Sequence, residues 1–133
     1  VNTVEYVGMT SYSNAVDFGT LTDNRGALAA CSSSTRGVFG GGVNISGGIN
    51  IVDYITIASP GNATDFGDLT MARGYLSASS SSLRGVFVGG EDINKLDTID
   101  YITIGSLGNA TDFGNLTVAR GGLAACSNAH GGL

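Results

Sequence analysis

Three aspartates recur within one ten-residue phrase, and they are the first residues of this sequence that could do chemistry. The phrase reads SNAVDFGTLT, GNATDFGDLT and GNATDFGNLT, and its aspartates are Asp17, Asp65 and Asp112. Carboxylate oxygens bind calcium, so Asp65 and Asp68 are candidates for a shared cation site. Asp68 is replaced in the other two phrases, which weakens this metal interpretation. We expect instead that Asp65 and Asp112 accept hydrogen bonds from turn amides.

Other residue types that commonly carry catalysis are sparse. His130 is the single histidine, and Cys31 and Cys126 lack the close spacing of a zinc or redox motif. No Gly-x-Ser-x-Gly segment is present to hold a nucleophilic serine. We therefore predict no catalytic residue, no metal and no cofactor, and we expect that the chain is not an enzyme.

Arginine and aromatic residues recur with the same spacing of 47 or 48 residues as the aspartates. The recurring set is Arg25, Arg73, Arg120, Phe18, Phe66, Phe113, Tyr54 and Tyr101. A residue that every unit needs is more typical of a scaffold than of a catalytic site, which needs one residue for each role. We expect Phe66 and Phe113 to be buried between adjacent units. We also expect Arg73 and Arg120 to pair with aspartates of the phrase.

Arg36 and Arg84 each open an RGVF segment. We expect each of them to bond carbonyl groups of its own unit. The alternative is that equivalent guanidinium groups form a ring that binds carboxylate or phosphate groups.

The charge of the chain argues against two classes of partner. Six basic and eleven acidic residues give a formal net charge of −5 and a pI near 4.4. Nucleic acids and anionic membrane surfaces both favour basic proteins. No apolar run approaches the roughly 20 residues of a membrane-spanning helix. We therefore expect neither nucleic acid nor membrane insertion.

Each repeat unit contains four segments with the composition of β-strands. They are LAACS at 28–32, GVFGG at 37–41, IVDYITI at 51–57 and the phrase itself, joined by glycine- and asparagine-rich turns. Four short strands per unit with this period predict an all-β propeller of four-stranded antiparallel blades. The predicted units are a partial blade at 1–22, blades at 23–70 and 71–117, and a partial blade at 118–133. The last of these would hold a first strand, LAACS at 123–127, and, in HGGL at 130–133, the start of a second.

The units resemble kelch repeats, in which a strand ends in a double glycine and spaced aromatic residues follow. The residues that carry this resemblance are Gly40, Gly41, Gly89, Gly90, Tyr54, Tyr101, Phe66, Phe113, Arg73 and Arg120. Phe66 and Phe113 stand where the family has tryptophan. The amino-acid sequence of the units is also similar to that of kelch-like proteins of tailed phages, especially marine ones. That resemblance implies a virion or tail-fibre component, and thus a virion or extracellular location.

The predicted blades amount to two whole ones and two parts, which is fewer than the four to eight of known propellers. We expect either a piece of a longer propeller or self-association into a homo-oligomer or filament, in which partial blades complete one another. The predicted function is protein assembly or contact with a host surface. The competing prediction is a carbohydrate-binding or carbohydrate-active propeller, similar to sialidases or galactose oxidase, with host-surface glycans as partners. The candidate binding loops contain Asn44, Asn50, Glu91, Asp92, Asn94 and Lys95.

Overall fold

The computed structural model describes residues 1–128, and within them it contains only β-strands, turns and loops. The strands are β1 (Thr3–Tyr6), β2 (Val16–Thr20), β3 (Ala29–Ser32), β4 (Arg36–Gly40), β5 (Val43–Asn44), β6 (Gly47–Gly48), β7 (Ile51–Thr56), β8 (Thr64–Asp68), β9 (Ser77–Ser80), β10 (Arg84–Val88), β11 (Thr98–Thr103) and β12 (Thr111–Asn115). They form four antiparallel sheets, which confirms the all-β expectation.

Three of the sheets follow the sequence repeat. The N-terminal sheet pairs β1 with β2, the central sheet has the order β3-β4-β7-β8, and the C-terminal sheet has the order β9-β10-β11-β12. The fourth sheet is the small hairpin β5-β6, which projects between β4 and β7. Each four-stranded sheet is a simple meander, as expected from strands joined by short turns.

The last two strands of each unit carry a bulge at the same position. The register shifts between Val4 and Glu5, between Val52 and Asp53, and between Ile99 and Asp100. A bulge adds one residue to the partner strand and bends it. The outer strand that carries the phrase is therefore bent in the same way in all three units.

An edge-to-face contact between two aromatic rings ties the same two strands together in each unit. The ring centroids of Tyr54 and Phe66 are 6.0 Å apart, and those of Tyr101 and Phe113 are 5.6 Å apart. Such contacts stabilise beyond the area that they bury. The aromatic residues singled out by their spacing thus face one another across neighbouring strands.

One hydrophobic core extends across the central and C-terminal sheets. Val38, Val52 and Phe87 are fully buried, and Ile102 and Ile104 are nearly so. The first strands of the two sheets, β3 and β9, lie side by side. Two consecutive units therefore share their core.

The predicted strand at 123–127 is not formed in the described residues, where 123–128 has no regular secondary structure. The physical reason is the lack of a pairing strand, since β3 and β9 are each held by the strand that follows them. HGGL at 130–133 lies outside the described residues.

Candidate functional site at the junctions between units

The second and third phrases each begin with residues that are bonded to the outer strand of the preceding unit. At the first junction, the backbone N–H groups of Gly61 and Ala63 donate to the carbonyl oxygens of Phe18 and Thr20, both at 2.7 Å. The side-chain Oδ1 of Asn62 accepts from the backbone N–H of Thr20 at 3.1 Å. The three residues Gly61–Ala63 therefore lie along β2 as a short added strand.

The second junction repeats the first, one unit further along the chain. Gly108 N donates to Phe66 O at 2.9 Å, and Ala110 N donates to Asp68 O at 2.8 Å. Asn109 Oδ1 accepts from Asp68 N at 3.1 Å. The phrase is thus a connector, whose first three residues bind the outer strand formed by the previous copy of the phrase.

The glycine in the middle of the phrase permits this close approach. Gly67 has a φ of +143°, and a Cβ added to it would lie 2.5 Å from the carbonyl oxygen of Gly108. Gly19, with a φ of +150°, stands in the same relation to the carbonyl oxygen of Gly61. At Gly114 the φ is +135°, but an added Cβ would meet no atom within 4 Å. The third outer strand therefore has the geometry to accept a phrase and holds none among the described residues.

A buried ion pair fastens the other side of the first junction. Arg25 Nη2 lies 3.0 Å from Asp53 Oδ2, and neither side chain is exposed. The same guanidinium donates to the carbonyl oxygens of Ile51 at 3.1 Å and Phe39 at 3.3 Å. Thr22, the last residue of the first phrase, donates to the Asp53 carboxylate from its hydroxyl at 2.6 Å and from its backbone N–H at 3.1 Å. The end of one phrase is thereby bonded to the next sheet.

The second junction has the corresponding pair. Arg73 Nη2 lies 3.0 Å from Asp100 Oδ2, again with both side chains fully buried. Thr70 donates to the Asp100 carboxylate from its hydroxyl at 2.6 Å and from its N–H at 3.1 Å. The expected pairing of Arg73 with an aspartate of the phrase was therefore wrong, because its partner is Asp100 on β11.

The two buried aspartates are the most important residues that sequence reasoning missed. Asp53 and Asp100 lie in β7 and β11, among residues that are mostly apolar. A signal was present, because Glu5, Asp53 and Asp100 repeat with the same spacing as the arginines. An acidic residue that recurs in a buried strand requires a partner of opposite charge.

Burial and charge act in opposite directions on the pKa of Arg25. Desolvation lowers the pKa of Arg25 below its ordinary value, and the carboxylates of Asp53 and Asp23 partly offset that lowering. Removing one partner of such a pair leaves an uncompensated buried charge, at a cost of about 3–5 kcal/mol. Loss of one partner of either ion pair would therefore destabilise the join between two units.

The aspartates of the phrase itself have a smaller role than expected. Asp17, Asp65 and Asp112 are all exposed. Asp112 Oδ1 accepts from the backbone N–H of Gly114 at 3.2 Å, but both residues lie within β12, so this is not the expected bond from a turn amide. For Asp65 the structure gives no such bond within residues 1–128.

The phenylalanine of the phrase is buried or exposed according to its position in the array. Phe18 and Phe66 are 7% and 3% exposed, whereas Phe113 is 55% exposed. The expectation that Phe113 is buried was therefore wrong, because no described strand follows to cover it. Covering half of a phenylalanine removes roughly 100 Å² from water, or about 2.5 kcal/mol. Arg120 is likewise exposed, and its guanidinium Nε donates to the carbonyl oxygen of Val118 at 3.3 Å.

The backbone at the start of the next unit packs closely against the double glycines. The equivalent pairs are Gly41–Gly42 and Gly89–Gly90, all four with positive φ. Added Cβ atoms at Gly41 and Gly89 would lie 2.6 and 2.7 Å from the carbonyl oxygens of the following arginines. The expected pair Gly40–Gly41 is one residue out of register, because Gly40 is equivalent to Val88. At Gly40 a side chain would collide with the Phe87 ring, at 2.5 Å.

Arg36 and Arg84 lie over aromatic rings of their own units. Their guanidinium carbons are 4.7 Å from the centroid of Tyr54 and 4.9 Å from that of Tyr101. Arg36 Nη1 also donates to the carbonyl oxygen of Ile104 in the next unit, at 2.8 Å. This contact differs from the expected bond within one unit and adds a further link between units.

The candidate binding loops are folded against the junctions and expose their tips. Asn44 lies on β5 and donates from Nδ2 to Asp23 Oδ2 at 2.9 Å. Glu91 pairs through its backbone with Gly74, and the backbone oxygen of Asn50 accepts from Leu69 N at 2.8 Å. The remaining loop candidates are exposed: Asp92, Asn94 and Lys95. Sequence reasoning missed Ile45 and Ile93, which occupy equivalent loop tips and are almost completely exposed.

The residues considered for chemistry are not brought together. Within residues 1–128, no group of three His, Cys, Asp or Glu side chains is placed to hold a metal, and Asp65 and Asp68 belong to no such group. Burial raises the pKa of the Cys31 thiol to about 12, whereas Cys126 is exposed. His130 lies outside the described residues.

A cavity of about 550 Å³ lies against the C-terminal sheet. Val86, Val88, Phe113 and Cys126 are among the residues that line it. Val86 is equivalent to Val38, which is fully buried in the core that the central sheet shares with the C-terminal sheet. The cavity is therefore the uncovered face of the last four-stranded sheet.

The part of the chain that the structure describes includes no helix suited to crossing a membrane. No family model matches the sequence, and the comparison with curated proteins finds no similar one.

Proposed function

We propose that this chain is a non-enzymatic kelch-like β-propeller segment whose function is protein assembly or recognition. The proposal rests on the bonds that the repeated polar and charged residues form between units. The phrase, the arginines and the buried aspartates bond one unit to the next. Residues committed to joining units are not free to turn over a substrate.

Contacts between the inner ends of the units support the propeller arrangement. Tyr75 N donates to Ala27 O, and Gly122 N donates to Tyr75 O, both at 2.8 Å. These three equivalent residues share a left-handed backbone, with φ values of 53°, 52° and 66°. Each unit thus repeats the same step relative to its predecessor, as blades do around an axis.

Serine hydroxyl groups form a second series of equivalent hydrogen bonds between successive units. Ser80 Oγ donates to Ser32 O at 2.8 Å, and Ser127 Oγ donates to Ser80 O at 2.6 Å. The small residues of the first strand therefore allow successive units to approach closely. This is the position nearest the axis in the proposed propeller.

The exposed loop tips favour a protein partner over a sugar. Ile45 and Ile93 are large apolar side chains displayed at equivalent positions on rigid repeats. Loops carried on a rigid scaffold commonly form binding surfaces. Sugar sites usually stack an aromatic ring on the ligand, and 42–50 and 91–97 contain no aromatic residue. The setting that we propose is a virion or tail fibre, where such a surface contacts a neighbouring subunit or a host.

Sedimentation equilibrium and saccharide assays test this proposal together. We expect a particle heavier than the 13.4 kDa chain, with no turnover of sialosides or galactosides and no saturable binding on a glycan array. A monomer at every concentration would contradict the assembly function. Turnover or saturable glycan binding would instead favour the carbohydrate-active alternative.

A further inference from the structure

We propose that β12 and the arginine that follows it bind the N-terminal sheet of a second copy of this chain, head to tail. This inference rests on the proposed assembly function and names the surfaces that would carry it. The two junctions within the chain identify the partner. In both of them, the outer strand of one unit binds the first three residues of the next phrase.

Among residues 1–128, nothing covers the acceptor surface. Phe113, Gly114 and Asn115 are equivalent to Phe66, Gly67 and Asp68, which hold the next phrase at the second internal junction. Phe113 is exposed, and the space above Gly114 is open for at least 4 Å. A strand edge in this state pairs readily with another chain.

The donor segment is Ser13–Ala15, which is equivalent to Gly61–Ala63 and Gly108–Ala110. All three of its residues are exposed. Ser13 replaces a glycine at this position, and an added Cβ at Gly61 would meet no atom within 4 Å. The serine is therefore compatible with the junction as it is built at Gly61, whereas Gly108 at the second junction has a φ of +147° that favours glycine. Asn14 is equivalent to Asn62 and Asn109, whose side-chain oxygens accept the outer-strand N–H at the two internal junctions.

Charge complementarity favours a second copy as the occupant. Arg120 is equivalent to the buried Arg25 and Arg73, and Glu5 is equivalent to their partners Asp53 and Asp100. Both Arg120 and Glu5 are exposed in a single chain. Joining two copies would bring Arg120 of one copy to Glu5 of the other and would place Thr117 where Thr22 and Thr70 donate. The two ends of the described array thus carry the two halves of the internal ion pair.

The test is sedimentation equilibrium of the full chain with charge reversals at the two ends. We expect Glu5→Arg and Arg120→Glu each to raise the dissociation constant by about 30-fold or more, because each leaves like charges facing one another. Mixing the two variants should restore association, since every junction between a copy of one variant and a copy of the other joins opposite charges. Asp65→Arg is the matched control, because Asp65 is exposed on the central sheet, and it should associate like the parent chain.

The outcomes separate this inference from the proposed function. A parent chain that associates, but is unaffected by either reversal, would overturn the head-to-tail interface and leave assembly standing. Failure of the mixed variants to associate would also overturn the interface. A parent chain that remains monomeric would overturn both. Equal thermal stability of all variants in dilute solution would show that the reversals leave the fold intact.

Discussion

Replacing Gly67 by alanine tests whether the phrase requires glycine at this position because the next phrase approaches it closely. A φ of +143° is strained for any residue with a Cβ, at a cost of roughly 1–3 kcal/mol. The added Cβ would also lie 2.5 Å from the carbonyl oxygen of Gly108, and a backbone atom cannot rotate away. Displacing that segment costs roughly 1–3 kcal/mol more, as in other overpacked sites.

Gly114→Ala is the matched control, because it has a similar φ of +135° and no neighbour within 4 Å. In dilute solution, where copies are separate, we expect Gly67→Ala to be less stable than Gly114→Ala by roughly 1–3 kcal/mol. For a chain of this size, that difference lowers the melting temperature by roughly 3–15 °C. Urea and thermal unfolding followed by circular dichroism would measure it. Equal destabilisation of the two variants would refute the close-approach argument.

Three further predictions concern the buried and bridging residues. Asp100→Ala should reduce the free energy of unfolding by about 3–5 kcal/mol, because it leaves a buried guanidinium unpaired, and a loss below 1 kcal/mol in urea unfolding would contradict this. Asn62→Ala should cost about 0.5–1.5 kcal/mol by losing its bond to an outer-strand N–H, whereas Asn14→Ala should cost nothing measurable in dilute solution; equal effects in thermal unfolding would be inconsistent with the junction. Burial raises the pKa of Cys31 from 9.0 to about 12, so this thiol ionises first in the unfolded chain. Its contribution to stability is complete below pH 9.0 and is lost as the pH rises toward about 12. Cys31→Ala should flatten the fall of stability across this window, and Cys126→Ala should not; identical pH profiles for both variants would show that the buried thiol is not responsible.

The sequence predicted the repeated β-strands because strand patterns depend on local composition and on spacing. It also located the turn glycines, although the double glycine was placed one residue early, because three glycines follow Phe39. The ion-pair partners were harder to find. Asp53 is 28 residues from Arg25. The local sequence around Asp53 does not reveal that its side chain faces a buried cation.

The exposure of Phe113 shows a different limit of sequence reasoning. Its phrase is nearly identical to that of Phe66, yet one ring is exposed and the other is buried. Burial at this position depends on the unit that packs next to it, which local sequence does not encode. The same holds for Arg120, whose equivalents are buried only where a further sheet follows.

Amide hydrogen exchange at Asp68 and Asn115 tests most directly the claim that the phrase joins one repeat to the next. Asp68 N–H donates to the side chain of Asn109, whereas the equivalent N–H of Asn115 has no such acceptor among residues 1–128. We expect Asp68 to exchange slowly at every protein concentration. Asn115 should exchange rapidly in dilute solution and slow down as the concentration rises and a second copy binds. Rapid exchange at Asp68, or exchange at Asn115 that does not depend on concentration, would contradict this account.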